Sequence, residues 1–360
     1  MKKELLLATA LVTSMGMVAS SAQAATATFS GKTRVGVKGA DTDGTAAATY
    51  AAHEQSTFSV SISETTDSGI KISTGFDLTD ESDGATDPSG LTFTFTDGSK
   101  LDLIEAGNAI GTHIATVPSA SGEQSISAAT HNSAPTGITY GNASDKVGFE
   151  WHSAADAFGV EGLKAGVSAS INDDAAGTTS TSAVENSFSV GVNYVTTTGD
   201  TTVTIGGGYV GASDTSTSAA KDKAAQTAVS MTAVTGDLTV GIGFGTGDYV
   251  RSGAITGSTA ASNAADVDDS SVLTAGAKYV SGDMTFAIGI VDGEGTDTAL
   301  GSPATSSADS YNKLAASVDY VVAPGVTATI GYADIDTEDE GGATAANSGT
   351  SWYIGATISF

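Results

Sequence analysis

The sequence predicts an all-β chain, an antiparallel up-and-down barrel of 16 strands that crosses a membrane. Three observations predict it. Apolar and polar residues alternate with period two in segment after segment, as side chains on a pleated strand do. The connections alternate between tight turns and long polar loops, the order that an up-and-down barrel with both termini at one rim requires. No basic residue falls on an apolar row, an exclusion expected where a lipid-facing Lys or Arg near the midplane costs about 2–4 kcal/mol.

The chain opens with an export signal. Lys2 and Lys3 precede the apolar run 5–12, and Ala22-Gln23-Ala24 supplies the small-x-small pattern that a signal peptidase accepts. The run breaks at Thr13, Ser14 and Gly16, short of the roughly 20 apolar residues of a helical span. Residues 1–24 therefore read as a signal peptide, and the barrel domain as 25–360 beginning at Ala25.

The first strand, 27–38, sends Phe29, Thr33, Val35 and Val37 one way and Ser30, Lys32, Arg34 and Lys38 the other. Strands 55–64 and 70–79 flank a tight turn by residue chemistry. The short strands 91–96 and 100–104 flank Asp97-Gly98, a strong hairpin signal. From Glu105 to Asp145 no alternation lasts, and a loop of that length is functional or disordered. Strands resume at 146–153, 163–172, 184–196, 201–211, 225–235, 238–247, 272–280, 284–291, 310–321, 326–335 and 351–360. Aromatic residues fall near strand ends in two belts: Trp151, Tyr194, Tyr279, Tyr320 and Phe360 below, and Phe58, Phe76, Tyr209, Phe244, Tyr332 and Trp352 above.

Composition excludes other classes. With 45 Gly and 40% hydrophobic residues the chain suits many strands and short turns rather than a helical bundle. A net charge of -27 argues against nucleic-acid binding, which wants a basic face. The absence of Cys excludes a disulfide framework. Gly206-Gly207-Gly208-Tyr209-Val210-Gly211 matches GxGxxG, but it lies within a strand and no helix follows, so it is not a dinucleotide site. His53, His113, His131 and His152 show no metal spacing. Asp266, Asp268 and Asp269, or Glu338, Asp339 and Glu340, are weak candidates for a structural calcium ion between loops; solvated loop charge is the favoured reading of both, and no other cofactor is expected.

The last ten residues, SWYIGATISF, put Trp352, Ile354, Ala356, Ile358 and Phe360 on one face and stop on an outward aromatic. This resembles the closing strand of a bacterial outer-membrane barrel. With the leader, the strand count, the longest loop after the fifth strand and the acidic outer loops, the whole mature chain resembles a general bacterial porin, closest in style to those of alphaproteobacteria. The resemblance implies an outer-membrane homotrimer among lipid and lipopolysaccharide, with Gly31 and Ala356 near the subunit interface. It also implies a third loop, here 105–145, folded into the barrel. There Glu105 and Glu123 would face a basic wall of Lys32, Arg34, Lys38 and Lys71 and constrict the pore, although the Pro-Glu-Phe-Gly-Gly turn of enteric porins is missing. Barrel closure would pair the amine of Ala25 with the carboxylate of Phe360.

Sixteen strands enclose a channel too wide for side chains to fill, so the expected function is passive diffusion of ions and small hydrophilic solutes, without catalysis. The alternative is a secreted acidic surface-layer or adhesin-like protein. It suits the Thr, Ala and Asp bias but not the terminal aromatic strand or the alternation of short and long connections.

Overall fold

The computed structural model describes residues 25–42, 49–79, 86–88, 90–103, 108–120, 147–171, 184–214, 223–248, 266–298, 306–339 and 348–360. The leader 1–24 lies outside them. The strands are β1 (Thr26–Thr42), β2 (Thr49–Thr65), β3 (Lys71–Thr79), β4 (Thr86–Pro88), β5 (Leu91–Thr94), β6 (Lys100–Leu103), β7 (Val147–His152), β8 (Leu163–Ile171) and β9 (Val184–Thr198). There follow β10 (Thr201–Asp214), β11 (Lys223–Thr235), β12 (Leu238–Asp248), β13 (Asp266–Ser281), β14 (Met284–Thr298), β15 (Ser306–Ala323), β16 (Val326–Asp339) and β17 (Gly349–Ser359). A short helix, α1 (Ala109–His113), stands between β6 and β7.

Sequence neighbours pair antiparallel all the way round. β3 pairs with β4 through residues 76–78 and with β5 through residues 71–73, so β4 and β5 are two pieces of one interrupted stave. The staves therefore number 16. β17 returns to β1, in register from Lys32 opposite Ser359 to Thr42 opposite Gly349. Gly31 and Phe360 then exchange both backbone hydrogen bonds, at 3.1 and 3.0 Å. Among the described residues every stave is thereby paired on both sides, which lipid demands because it offers backbone groups no partner.

Turn chemistry sets one rim. The two-residue hairpins Gly236-Asp237 and Gly282-Asp283 place glycine at φ 53° and 58°, the left-handed region that a two-residue connection needs and that other residues resist. This rim of tight turns is the lower one, and the long connections leave from the other. Along each strand the apolar row points outward: Val35, Val37, Ile242, Phe244, Ile288, Ile290 and Ile354 are all exposed on the outer face. The described basic side chains Lys32, Arg34, Lys38, Lys71, Lys100, Lys164, Lys278 and Lys313 all take the inward parity.

Two features of the outer face differ from expectation. Phe58 and Phe76 belong to the lower half. Phe58 pairs with Gly31 and stacks on Phe29 at 6.0 Å, and Phe76 reaches the level of Phe29 through Val60. The cause is that β2 begins at Thr49, six residues before the alternation becomes legible, so Phe58 is mid-strand. Tyr50 takes the upper place instead, its ring 5.9 Å from Trp352. The second difference is Glu54. It pairs with Val35 on the outward row, midway between the level of Phe58 and that of Tyr50.

Candidate functional site

The inner wall carries the chemistry, and its two sides differ. On β1, Lys32, Arg34 and Lys38 share the inward row with Gly36 and Ala40. Arg34 Nη1 donates to Gln55 Oε1 at 2.9 Å across the β1–β2 pair. Behind this row Tyr353, 1% exposed, lies over two glycines. A Cβ on Gly36 or Gly355 would come within 2.7 or 2.1 Å of its ring or hydroxyl. That hydroxyl donates to the Val35 carbonyl at 3.4 Å, and His53 meets the ring edge-on at 5.7 Å. Small residues thus let one large side chain lie flat along the wall and leave the basic row projecting into the lumen.

Lys71 is not part of that row. It opens β3 opposite Thr65, whereas Arg34 lies opposite Gln55. Ten residues of β2 separate the two levels, about 33 Å along the strand at 3.3 Å per residue. Lys71 therefore stands at the lower rim.

In a closed barrel of 16 staves, β10 lies eight staves from β1 and so on the opposite side of the lumen. From that side round to β16, residues 108–120 pack on the inward-pointing positions. The Ala109 N–H donates to Ser168 Oγ at 3.1 Å, Thr112 Oγ1 donates to Glu150 Oε1 at 2.8 Å, and Ser230 Oγ donates to the Ala115 carbonyl at 2.8 Å. Ile110 is wholly buried against Val210 and Ala228, with Ile114 beside it, and Ala120 packs on Ala315, Ala333 and Ile335. Close backbone approach requires glycine beneath: a Cβ on Gly191, Gly206 or Gly276 would stand 2.2, 2.1 or 1.8 Å from the carbonyl of Ala109, His113 or Pro118. The glycine run of β10 is thus a floor for this segment.

Near the foot of α1 a polar cluster joins the segment to the wall. His113 Nε2 lies 3.1 Å from His152 Nδ1, and His152 Nε2 lies 3.2 Å from Glu150 Oε1 and 3.7 Å from Asp102 Oδ2. Thr92 Oγ1 donates to Asp102 Oδ1. Burial, and then the neighbouring His152, push His113 below the ordinary histidine value. Sequence reading missed this cluster, because Asp102 and Glu150 are brought opposite each other only by the β6–β7 register.

Of the other expected residues, Glu105 and Glu123 lie outside the described residues, as does most of 105–145. Asp266, Asp268 and Asp269 open β13, but their side chains are outside the described set too. Glu338 and Asp339 end β16 with side chains likewise outside it, and Glu340 falls beyond the described residues. Ala25 precedes β1 and is exposed. Phe360 is at the closing seam, its ring over Gly31.

A closed barrel with an apolar outside, a polar inside and charged rows facing the lumen defines a transmembrane channel. The family model of the Gram-negative porin matches residues 8–340. The chain belongs to that family, and it is an outer-membrane channel for passive diffusion. Solved structures agree in fold. An anion-selective porin from Comamonas acidovorans is 11% identical, with 94% of this chain and 100% of that one covered at a TM-score of 0.62. A porin refined at 1.8 Å is 18% identical, with 93% and 100% covered at 0.60. OmpT of Vibrio cholerae in its trimer form is 14% identical, with 94% and 100% covered at 0.57. No curated protein matches the chain.

Proposed function

We propose that the channel is narrowed by residues 108–120 and the rest of the loop 105–145, and that the basic row Lys32, Arg34 and Lys38 sets which ions pass. The observation that carries this reading is the position of 108–120 along the inner wall from β8 round to β16, its start at Ala109 and Ile110 facing β1 across the lumen. Charges set in a low-dielectric wall act on a passing ion more strongly than outer-loop charges, which salt screens beyond about 8 Å. Glu105 and Glu123 supply the opposing carboxylates in this reading. The channel performs no catalytic step. Single-channel recording of the purified protein in a planar bilayer tests it: steady conductance with a salt-gradient reversal potential that responds to the β1 row supports it, and a silent bilayer refutes it.

The assembled form is a homotrimer in lipid and lipopolysaccharide, meeting through the face of β17, β1 and β2. Glu54 favours this, since a carboxylate on the outward row at mid-height needs a polar partner that lipid lacks. Thr33 and Ser56, hydrogen-bonded at 3.1 Å, extend the polar patch, and Gly31 and Ala356 leave it flat. Light scattering in mild detergent should give three chains per particle, and monomers would count against it. Cleavage of 1–24 leaves Ala25 as the terminus that pairs with the Phe360 carboxylate, which amino-terminal sequencing of the mature protein checks.

A further inference from the structure

We propose that Asp102, Glu150 and His152 form a metal site on the inner wall, taking a divalent transition ion of the zinc class from the lumen. The electrostatics ask for a cation there. Asp102 and Glu150 are directly opposed across β6 and β7, and like charges so placed repel. Among the described residues no Lys or Arg comes within ion-pair distance of either carboxylate, and both face His152.

His152 is the junction of the cluster. One of its ring nitrogens, Nδ1, shares a hydrogen bond of 3.1 Å with Nε2 of His113, which is 3% exposed. The other, Nε2, faces the Glu150 and Asp102 oxygens at 3.2 and 3.7 Å. One imidazole nitrogen and two carboxylate oxygens thus converge, and a metal ion bound there takes the place of the proton that His152 Nε2 otherwise shares with them.

The geometry fits. The three donor atoms all lie within 4.8 Å of one another, with His152 Nε2 at 3.2 and 3.7 Å from the two oxygens. Ligands about 2.1 Å from a metal stand roughly 3.0–3.5 Å apart in tetrahedral or octahedral order, so closing on an ion brings the two carboxylate oxygens together by about 1–2 Å at most. Each ligand is held from behind: His152 by His113, Glu150 by Thr112, and Asp102 by Thr92. Such outer partners orient the ligands and are worth about 10–100-fold in affinity. Asp102 and His152 are partly exposed, with side chains 27% and 12% accessible, so an ion enters from the lumen and water completes its shell. One imidazole with two carboxylates favours zinc, nickel or cobalt over magnesium, which holds to oxygen and water.

The test is a zinc titration of the folded, detergent-solubilised full chain by calorimetry. One zinc per chain is expected, undisturbed by a tenfold excess of magnesium. Affinity should fall at least tenfold in His152→Gln and about tenfold in Thr112→Val, and should hold in the outer-loop variant Glu338→Gln. No saturable uptake, displacement by magnesium, or parental affinity in His152→Gln would each overturn the proposal, the last by placing the ion on the acidic loops. If His152→Gln does not fold, cobalt(II) added to the unaltered protein decides: a visible ligand-field band displaced by zinc supports the site, and a spectrum of free aqueous cobalt overturns it.

Discussion

Ile110 anchors residues 108–120 on the wall, and truncating it should release that segment without harming the barrel. Ile110 is 0% exposed and packs on Val210 and Ala228. Removing a fully buried Ile side chain to Ala costs about 2–5 kcal/mol. The wall does not bear this loss, because β9, β10 and β11 remain paired through their own backbone ladders. The loss falls on docking. Three polar anchors remain, from Ser168, Glu150 and Ser230, and at about 0.5–1.5 kcal/mol each they contribute together about as much as the side chain removed. A loss of 2–5 kcal/mol then shifts the docked-to-free ratio about thirty-fold to several thousand-fold, since 1.4 kcal/mol is tenfold. In planar bilayers Ile110→Ala should show a larger mean conductance and a noisier open state, and added protease should cut within 108–120 while the barrel keeps its heat-modifiable gel mobility. Parental conductance and protease resistance in a folded Ile110→Ala barrel would refute the reasoning.

Deleting Phe360 removes both closing hydrogen bonds to Gly31, and unpaired backbone groups in lipid cost several kcal/mol each, a large share of a domain's stability. Outer-membrane fractions should hold little folded protein of that variant, and normal amounts would count against closure at this seam. Neutralising Arg34 together with Lys38 should move the reversal potential toward cations further than neutralising Lys71, which stands at the rim; equal shifts would mean that Lys71 reaches the narrow level. Asp97 accepts from the Ser99 hydroxyl at 2.7 Å and from the Ser99 N–H at 2.9 Å, and these bonds hold its carboxyl below the ordinary 3.8. A depressed folded value contributes stability above the ordinary value and loses it as the pH falls through the folded one. Asp97→Asn should therefore lower the urea midpoint at neutral pH and match the parent in strong acid, and a difference persisting in acid would sink the argument.

The barrel was legible because its outer face is a strict physical filter. Lipid admits apolar side chains and excludes Lys and Arg, so the parity of Lys32, Arg34, Lys164, Lys278 and Lys313 could be read directly from the sequence. Strand ends above the membrane were less legible, since no apolar row marks them there. β2 begins at Thr49 amid Ala51, Ala52 and Glu54, a stretch without alternation, so the visible pattern puts Phe58 at the upper rim when it belongs to the lower half. Glu54 breaks the filter itself. An outward carboxylate is tolerated only where something other than lipid covers it, and nothing local in the sequence announces that.

The inner wall obeys no such filter, and this is why its chemistry was hidden. A lumen tolerates any polar residue, so a serine, a glycine or a histidine on the inward row carries no sign of what lies against it. Gly206 and Gly208 read as a weak nucleotide motif because their use, to admit the backbone of His113 and the side chain of Ile110, depends on a segment nearly one hundred residues away. The cluster at Glu150 depends in the same way on three separate placements. β6 must pair with β7 so that Asp102 meets Glu150, α1 must dock so that Thr112 and His113 arrive, and β9 must present Asn193. Each contact is long in sequence and short in space. Periodicity fixes which face a residue takes, but only strand register and the docking of 108–120 decide which inward residues meet.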